Sequence, residues 1–543
     1  MESSLQGRAR MVELLGLGAL FVFGLAVRGA SLSNLVPSPD ELTYASRAVY
    51  ILSYHWAWPK FAMWDQPPLF EYLLAVVTLL FGATLESLRW VSVTFGSLAI
   101  VAGYYLAKSL YGRGAGWLAA ATIAVNPFQI LYSKQIYIES MVSTLILFAI
   151  LLFWEGVIKR RDMKVTALGG VVFGLALDSK YITLVMAVAL VVFLVLYKGR
   201  LASGFPLRHV IVYFAIGLAM FLPVILDLSL NNVNPFYFDL IGRFQLLASG
   251  KSGGGVSRAL AGGGLGSVVV LGFRNFIQTF FRFSPTDPVA AYPGTAIDIP
   301  VWIVVAILVF AFFVGAFFVK RTPREGMLLI LFVAFLGFAF TYPGKRTYFT
   351  LYPMLIFIVM LAGLAQICAV RVRRRERFDA RTLLAACVVG LTISGIAINA
   401  FGVPATQVVG FGDWDDLTPI ANYVSLNHGP NSYVAINLAL VGFYLATQNV
   451  NVSIAWMVQH QEYYSESVSD QALQSIQEGQ YPDYRVMSLS VVEIMRPQFV
   501  VIPAGYYNVT PATFQQYMTD NYFQPLGTTH VLLFQIRNPA GRG

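Results

Sequence analysis

Long apolar runs separated by short links constrain this chain more than any other feature in it. Runs near 12–30, 89–109, 115–133, 140–157, 165–180, 181–197, 209–227, 300–319, 327–342, 348–368 and 382–402 approach the ~20 residues that a helix needs to cross ~30 Å of hydrocarbon. Backbone in lipid has no water to bond, so such runs predict helices, about eleven of them. The fifth and sixth are short, divided only by Asp178-Ser179-Lys180 within one continuous apolar stretch. With 57% hydrophobic and 12% charged residues over 543 positions, the chain is too apolar for any arrangement of soluble domains. It reads as a polytopic α-helical membrane protein.

The formal charge of +9 does not point to nucleic acid. More than half of the 37 Lys and Arg fall in one alternating set of short links, such as Lys108–Arg113, Lys159–Lys164 and Arg371–Arg381, which predicts that those links are cytoplasmic. The other side then holds an acidic loop at 31–88, a long loop at 228–299 and everything after about 403. The N-terminus is expected inside and the C-terminus outside, in a multi-pass cell-membrane protein. The first run follows Arg8 and Arg10 like a signal peptide, but no small-x-small cleavage site precedes Pro37, so a retained span is expected. Residues 67–82 are too few to span, contain Glu71, and would invert every later loop if they did. They predict an interfacial helix.

After about Gly412, β-prone runs (432–437, 451–455, 499–503, 530–536) alternate with helical stretches (416–427, 469–478, 511–520). The expected division is a membrane module over 1–402 and an extracytoplasmic α/β domain over 403–543. Cys368 and Cys387 lack metal-ligand companions and read as buried free thiols. The glycine-rich stretch 250–266 lacks the spacing of a phosphate-binding loop and reads as a linker.

On the predicted outer side the charged residues are Asp40, Glu41, Asp65, Arg89, Lys134, Glu139, Lys180, Lys345 and Arg346, most of them within a few residues of a span end. Charge at a bilayer is costly and marks function. Acids and bases gathered at one depth suit a substrate with a charged head and a lipid tail. If that substrate is a sugar on a polyprenyl phosphate, the phosphate leaves as a stable anion and needs cations or a metal. The attacking hydroxyl needs a carboxylate base, and one displacement with inversion suffices. Ser38-Pro39-Asp40-Glu41 also reads as a helix-capping box, with Ser38 as N-cap, Pro39 at N1 and Glu41 at N3. Neighbouring helical residues point about 100° apart, so Asp40 is assigned to chemistry and Glu41 at least partly to holding the helix. The belt of interfacial aromatics accounts for Tyr44, Trp56, Trp58 and Trp64.

These residues stand in an order that resembles a known group. Pro39-Asp40-Glu41-Leu42-Thr43-Tyr44-Ala45, Asp65-Gln66-Pro67-Pro68-Leu69, Leu88-Arg89-Trp90-Val91-Ser92, Tyr132-Ser133-Lys134 with Glu139, Gly174-Leu175-Ala176-Leu177-Asp178-Ser179-Lys180-Tyr181, and Arg346-Thr347-Tyr348 with Tyr352-Pro353 resemble the GT-C glycosyltransferases. Within these, the chain looks most like the protein O-mannosyltransferase and lipid A aminoarabinose transferase group. The resemblance spans about residues 12–360. It implies a GT-C fold and transfer of a sugar from a polyprenyl-phosphate donor to a hydroxyl of a protein, lipid or glycan on the outer face. It makes Asp40 the base or acceptor-positioning carboxylate, with Glu41 beside it and Asp65 as a third acid, where Gln66 replaces the group's His. Lys180, Arg346 and Arg89 become the donor-phosphate residues. No cofactor is required by this scheme; if the enzyme is metal-dependent, Glu139 and Asp40 would hold Mg or Mn. Expected partners are the lipid-linked donor, the bilayer and an acceptor protein or lipid.

Two other readings fit less well. A metal-dependent oligosaccharyltransferase shares the architecture, but its Trp-Trp-Asp acceptor motif has only a faint echo in Asp413-Trp414-Asp415-Asp416. A transporter would favour paired internal repeats and mid-span acids, and neither is seen in the sequence.

Overall fold

The computed structural model describes residues 2–32, 39–53, 56, 67–201, 204–230, 322–341, 349, 351–373, 418–427, 434–436, 452–454, 498–503, 512–527 and 531–537. The predicted spans at 300–319 and 382–402, the helix at 469–478, the glycine-rich stretch, Asp65, Lys345, Arg346 and Cys387 lie outside these residues. The described elements fall in two compact units.

The first unit is helical: α1 (Glu2–Gly29), with α2 (Pro39–Ser53) and α3 (Leu69–Phe81) of the second unit following it in sequence, then α4 (Leu85–Tyr111), α5 (Arg113–Val125), α6 (Pro127–Ser133), α7 (Ile138–Leu152), α8 (Met163–Leu177), α9 (Thr183–Tyr197), α10 (Leu207–Leu230), α11 (Pro323–Thr341) and α12 (Leu351–Arg373). Six helices among the described residues are long and apolar enough to cross a membrane. Leu14, Leu15, Val195, Leu196, Ile211 and Leu218 are exposed on these helices, as lipid-facing side chains are. The short fifth and sixth runs emerge as separate helices, α8 and α9. Helix α8 lies closely against α10: a Cβ at Gly170 would sit 2.7 Å from the Tyr213 carbonyl, and one at Gly174 would sit 2.6 Å from Met220 Cβ. That Gly-x-x-x-Gly face supplies the close approach that helix association in lipid depends on.

One expected span differs. The run 115–133 is two helices, α5 and α6, broken at Asn126-Pro127. Pro127 has no N–H for the Ile123 carbonyl and so starts a new helix at its N1 position. Asn126 caps that helix by accepting from the Gln129 amide at 2.9 Å. The orphaned carbonyls are met from α1: the Arg28 guanidinium donates to Ile123 O at 2.9 Å and Ala124 O at 3.3 Å, and to the Gln129 side chain. Arg28 is fully buried, so it acts as a staple between α1 and the break. Arg28→Met leaves these acceptors unmet and is expected to destabilise by at least about 2 kcal/mol. Thermal unfolding in detergent checks this; an unchanged Tm contradicts it.

At the other end of these helices the acids are paired with bases. Glu13 meets Lys108 and, at 3.1 Å, Arg113. Glu155, in a π-turn (Phe153–Lys159) that extends α7, meets Lys159 at 2.8 Å and Arg160 at 2.5 Å.

In the second unit α2 packs on α3, and Tyr44 meets Phe70 edge to face with ring centres 5.5 Å apart. Helix α3 stands within 67–82, where the sequence predicts a helix too short to span. The C-terminal part is α/β as expected, with α13 (Thr418–Asn427), β1 (Val434–Ile436), β2 (Val452–Ile454), β3 (Phe499–Pro503), α14 (Ala512–Asn521), β4 (Tyr522–Gly527) and β5 (Val531–Ile536). The strand order is β2-β1-β3-β5-β4. Strands β1, β2 and β3 run parallel, and β5 pairs antiparallel with both β3 and β4. Strand β4 is the one described strand not anticipated.

Candidate functional site

In the first unit the structure joins two of the predicted residues. Glu139, in the first turn of α7, accepts from the ammonium of Lys180 at 2.5 Å. Lys180 lies in the link between α8 and α9, and its Nζ also sits 5.0 Å from the Phe349 ring centre. Glu139 is fully buried, and its second oxygen, Oε2, has no hydrogen-bond partner among the described residues. The start of α7 is held by hydroxyls: Ser92 Oγ bonds both the N–H and the carbonyl of Tyr137, each at 3.2 Å. Ser140 Oγ donates to Tyr132 O at 2.9 Å.

Arg89, in the first turns of α4, is buried and donates to the Leu32 carbonyl. Lys134 closes α6 and is also buried. Burial, and then the charge of Arg89, hold the Lys134 ammonium below the usual lysine range. Asp178, beside Lys180 in the same link, has an Oδ1 without a hydrogen-bond partner among the described residues, and burial pushes its carboxyl up to about 7.

The sign of that shift yields a prediction. The folded chain holds this proton more tightly than the unfolded one, so its contribution is whole below the ordinary value of 3.8 and is lost as pH rises toward about 7. Asp178→Asn is expected to remove this decline. Melting curves of wild type and variant across that window check it, and parallel curves contradict it.

In the second unit α2 begins at Pro39, where the capping pattern places N1. Asp40 follows in its first turn, and its side chain lies outside the described residues. Glu41 is fully buried. Three residues beyond Tyr44, Arg47 forms an ion pair with Glu71 of α3 at 3.1 Å, both side chains buried. The sequence reading used Glu71 only to exclude a span and did not single out Arg47 or Arg28. The available signal was that each is an arginine with apolar neighbours, a costly placement that predicts a buried partner. Among the described residues no group of three or more His, Cys, Asp or Glu is placed to hold a metal.

The family of dolichyl-phosphate-mannose-protein mannosyltransferases matches over residues 65–226. No curated protein matches the sequence. Solved structures do match in fold. ArnT from Cupriavidus metallidurans bound to undecaprenyl phosphate aligns with a TM-score of 0.56 at 14% identity, over 96% of this chain and 98% of that one. The oligosaccharyltransferase AglB from Archaeoglobus fulgidus, in complex with an inhibitory peptide and a dolichol-phosphate, aligns at 0.56 and 15% over 98% of this chain and 75% of that one. The same archaeal enzyme in complex with Zn and sulfate aligns at 0.57 and 16% over 96% and 73%. A multi-pass helical chain that aligns along nearly its whole length with these enzymes has the fold of the GT-C glycosyltransferases.

Proposed function

We propose that this protein is a membrane glycosyltransferase that moves a sugar from a polyprenyl-phosphate donor to a hydroxyl acceptor on the outer face of the membrane. The observation that carries the reading is the buried Glu139–Lys180 pair at the ends of membrane helices, with Arg89 and Lys134 in the same unit. It stands in a fold shared with proteins solved with undecaprenyl phosphate and dolichol-phosphate.

In this reading the acceptor oxygen attacks the anomeric carbon, the bond from that carbon to the phosphate oxygen breaks, and polyprenyl phosphate leaves with the electron pair. Asp40 takes the hydroxyl proton, with Glu41 and Asp65 as the further acids of the loop. Lys180, Arg346 and Arg89 hold the phosphate as its charge grows. Lys180 donates a hydrogen bond to Glu139, so Glu139 aims it. The N-terminus is cytoplasmic, the membrane module covers 1–402 and the domain over 403–543 is extracytoplasmic.

A second reading, a metal-dependent oligosaccharyltransferase, is favoured by one observation: Glu139 Oε2 is a buried carboxylate oxygen without a hydrogen-bond partner among the described residues, which a divalent cation such as Mg or Mn would use. The test is transfer by the purified protein from a panel of polyprenyl-phosphate sugars, with and without EDTA. The first reading predicts transfer from a monophosphate donor that persists in EDTA. Loss in EDTA, restored by added metal, selects the second.

A further inference from the structure

Two side chains in the links that the Glu139–Lys180 pair ties together carry polar atoms that the fold does not use. Gln135 lies between α6 and α7, four positions before Glu139, and is 3% exposed. Its Nε2 has no hydrogen-bond partner among the described residues, and neither has Oδ1 of Asp178, two positions before Lys180. We infer that Gln135 and Asp178 hold hydroxyls of the transferred sugar, and that this sugar is neutral. The inference rests on the glycosyltransferase reading for the identity of the substrate, and on these two links for the residues.

Both links are fixed by their own hydrogen bonds. The Tyr137 N–H donates to the Gln135 carbonyl at 2.7 Å, and Ser92 bonds both backbone groups of Tyr137. In the other link Ser179 Oγ donates to Leu175 O at 2.7 Å, Thr183 Oγ1 to Ala176 O at 2.9 Å, and the Lys180 N–H to the same Ala176 carbonyl at 3.1 Å. Groups held in place before a ligand arrives lose little freedom on binding it.

Asp178 is a burden to the fold as it stands. It is the residue that ends α8, where the partial negative charge of the last carbonyls disfavours a carboxylate. It does not cap α9, which starts at Thr183 after Ile182. A buried amide donor without an acceptor is costly in the same way at Gln135. Sugar hydroxyls remove both costs, because a hydroxyl donates to a carboxylate and accepts from an amide. The charges nearby exclude ionised sugars: an ammonium on the sugar would stand close to Lys180, and a carboxylate on it would meet Asp178. Burial that holds the Asp178 carboxyl up to about 7 suits hydroxyls as well, since they pair with it protonated or ionised.

The test uses the full chain in detergent, with wild type, Asp178→Asn and Gln135→Met. The probes are polyprenyl-phosphate mannose, glucose and galactose against bare polyprenyl phosphate, and the readout is the concentration of each that protects from thermal unfolding. Wild type is expected to bind at least one of the three sugar donors more tightly than the bare lipid. Asp178→Asn should weaken binding of that donor by about tenfold to a hundredfold, and Gln135→Met by about threefold to tenfold. Binding of bare polyprenyl phosphate should be the same in all three proteins. Without ligand at neutral pH, Asp178→Asn should melt no lower than wild type. Equal weakening of both kinds of lipid would show a structural role and overturn the inference. Unchanged preference for the sugar donor in both variants overturns it too, as does a wild type that binds no sugar donor more tightly than the bare lipid. Transfer is measured separately: a wild type that shows the expected binding but forms no glycoside sinks the functional reading and leaves this one standing. Transfer by a wild type whose variants keep their preference does the reverse.

Discussion

Asp40→Asn is expected to leave the protein folded in the membrane and to slow sugar transfer by about 10²–10⁴, the range that a positioned general base supplies. The substitution keeps the shape of the side chain and its fitness for the first helical turn, where α2 begins at Pro39. What it removes is the ability to accept a proton. Glu41, one residue on, is fully buried, so Glu41→Gln is expected to act first on stability and to lower Tm. The contrast is the check: single-turnover rate and melting temperature, measured on both variants, should move separately. The helix itself is held on α3 by Tyr44 against Phe70 and by the Arg47–Glu71 pair, a short path from packing to the aim of the acid.

Lys180→Met, the second large effect, leaves Glu139 fully buried without the cation it pairs with and is expected to cost about 3–5 kcal/mol of stability. The double substitution Glu139→Leu with Lys180→Met removes both charges and should regain most of that stability, because a buried ion pair can be replaced by apolar groups at little cost. Transfer should stay lost in the double variant, since the cation proposed to hold the phosphate is gone. Recovery of transfer along with stability would show that the pair only supports the fold. A double variant that melts as low as Lys180→Met alone would mean that the packing around Phe349, and not the charge balance, sets the stability here.

Much of the fold was legible because lipid leaves few choices. Apolar runs of span length become helices, so α1, α4, α7, α10 and α12 appear where hydropathy places them. The break between α5 and α6 was carried by Asn126-Pro127, a pair that caps and restarts a helix, but the apolar run continues through it and hid it. What makes the break tolerable is Arg28, more than ninety positions from the carbonyls it meets, and no local pattern reveals such a partner. Strand β4 was missed for a related reason. It contains Pro525, and its pairing with β5 shifts register between Phe523 and Leu526; proline in a sheet is confined to edges and bulges, and β4 is an edge strand. The ion pair between two of the candidate residues was not legible as a pair. Glu139 and Lys180 were named separately, as an acid and a phosphate contact. They lie 41 positions apart, and only the packing of α7 against α8 joins them.

The most direct test of the central claim is a product analysis with purified wild-type protein and a polyprenyl-phosphate sugar of known anomeric configuration. The account predicts one polyprenyl monophosphate released for each glycoside formed, with the configuration at the anomeric carbon inverted. Free sugar in place of a glycoside, a retained configuration, or donor recovered unchanged from every sugar tried would contradict it.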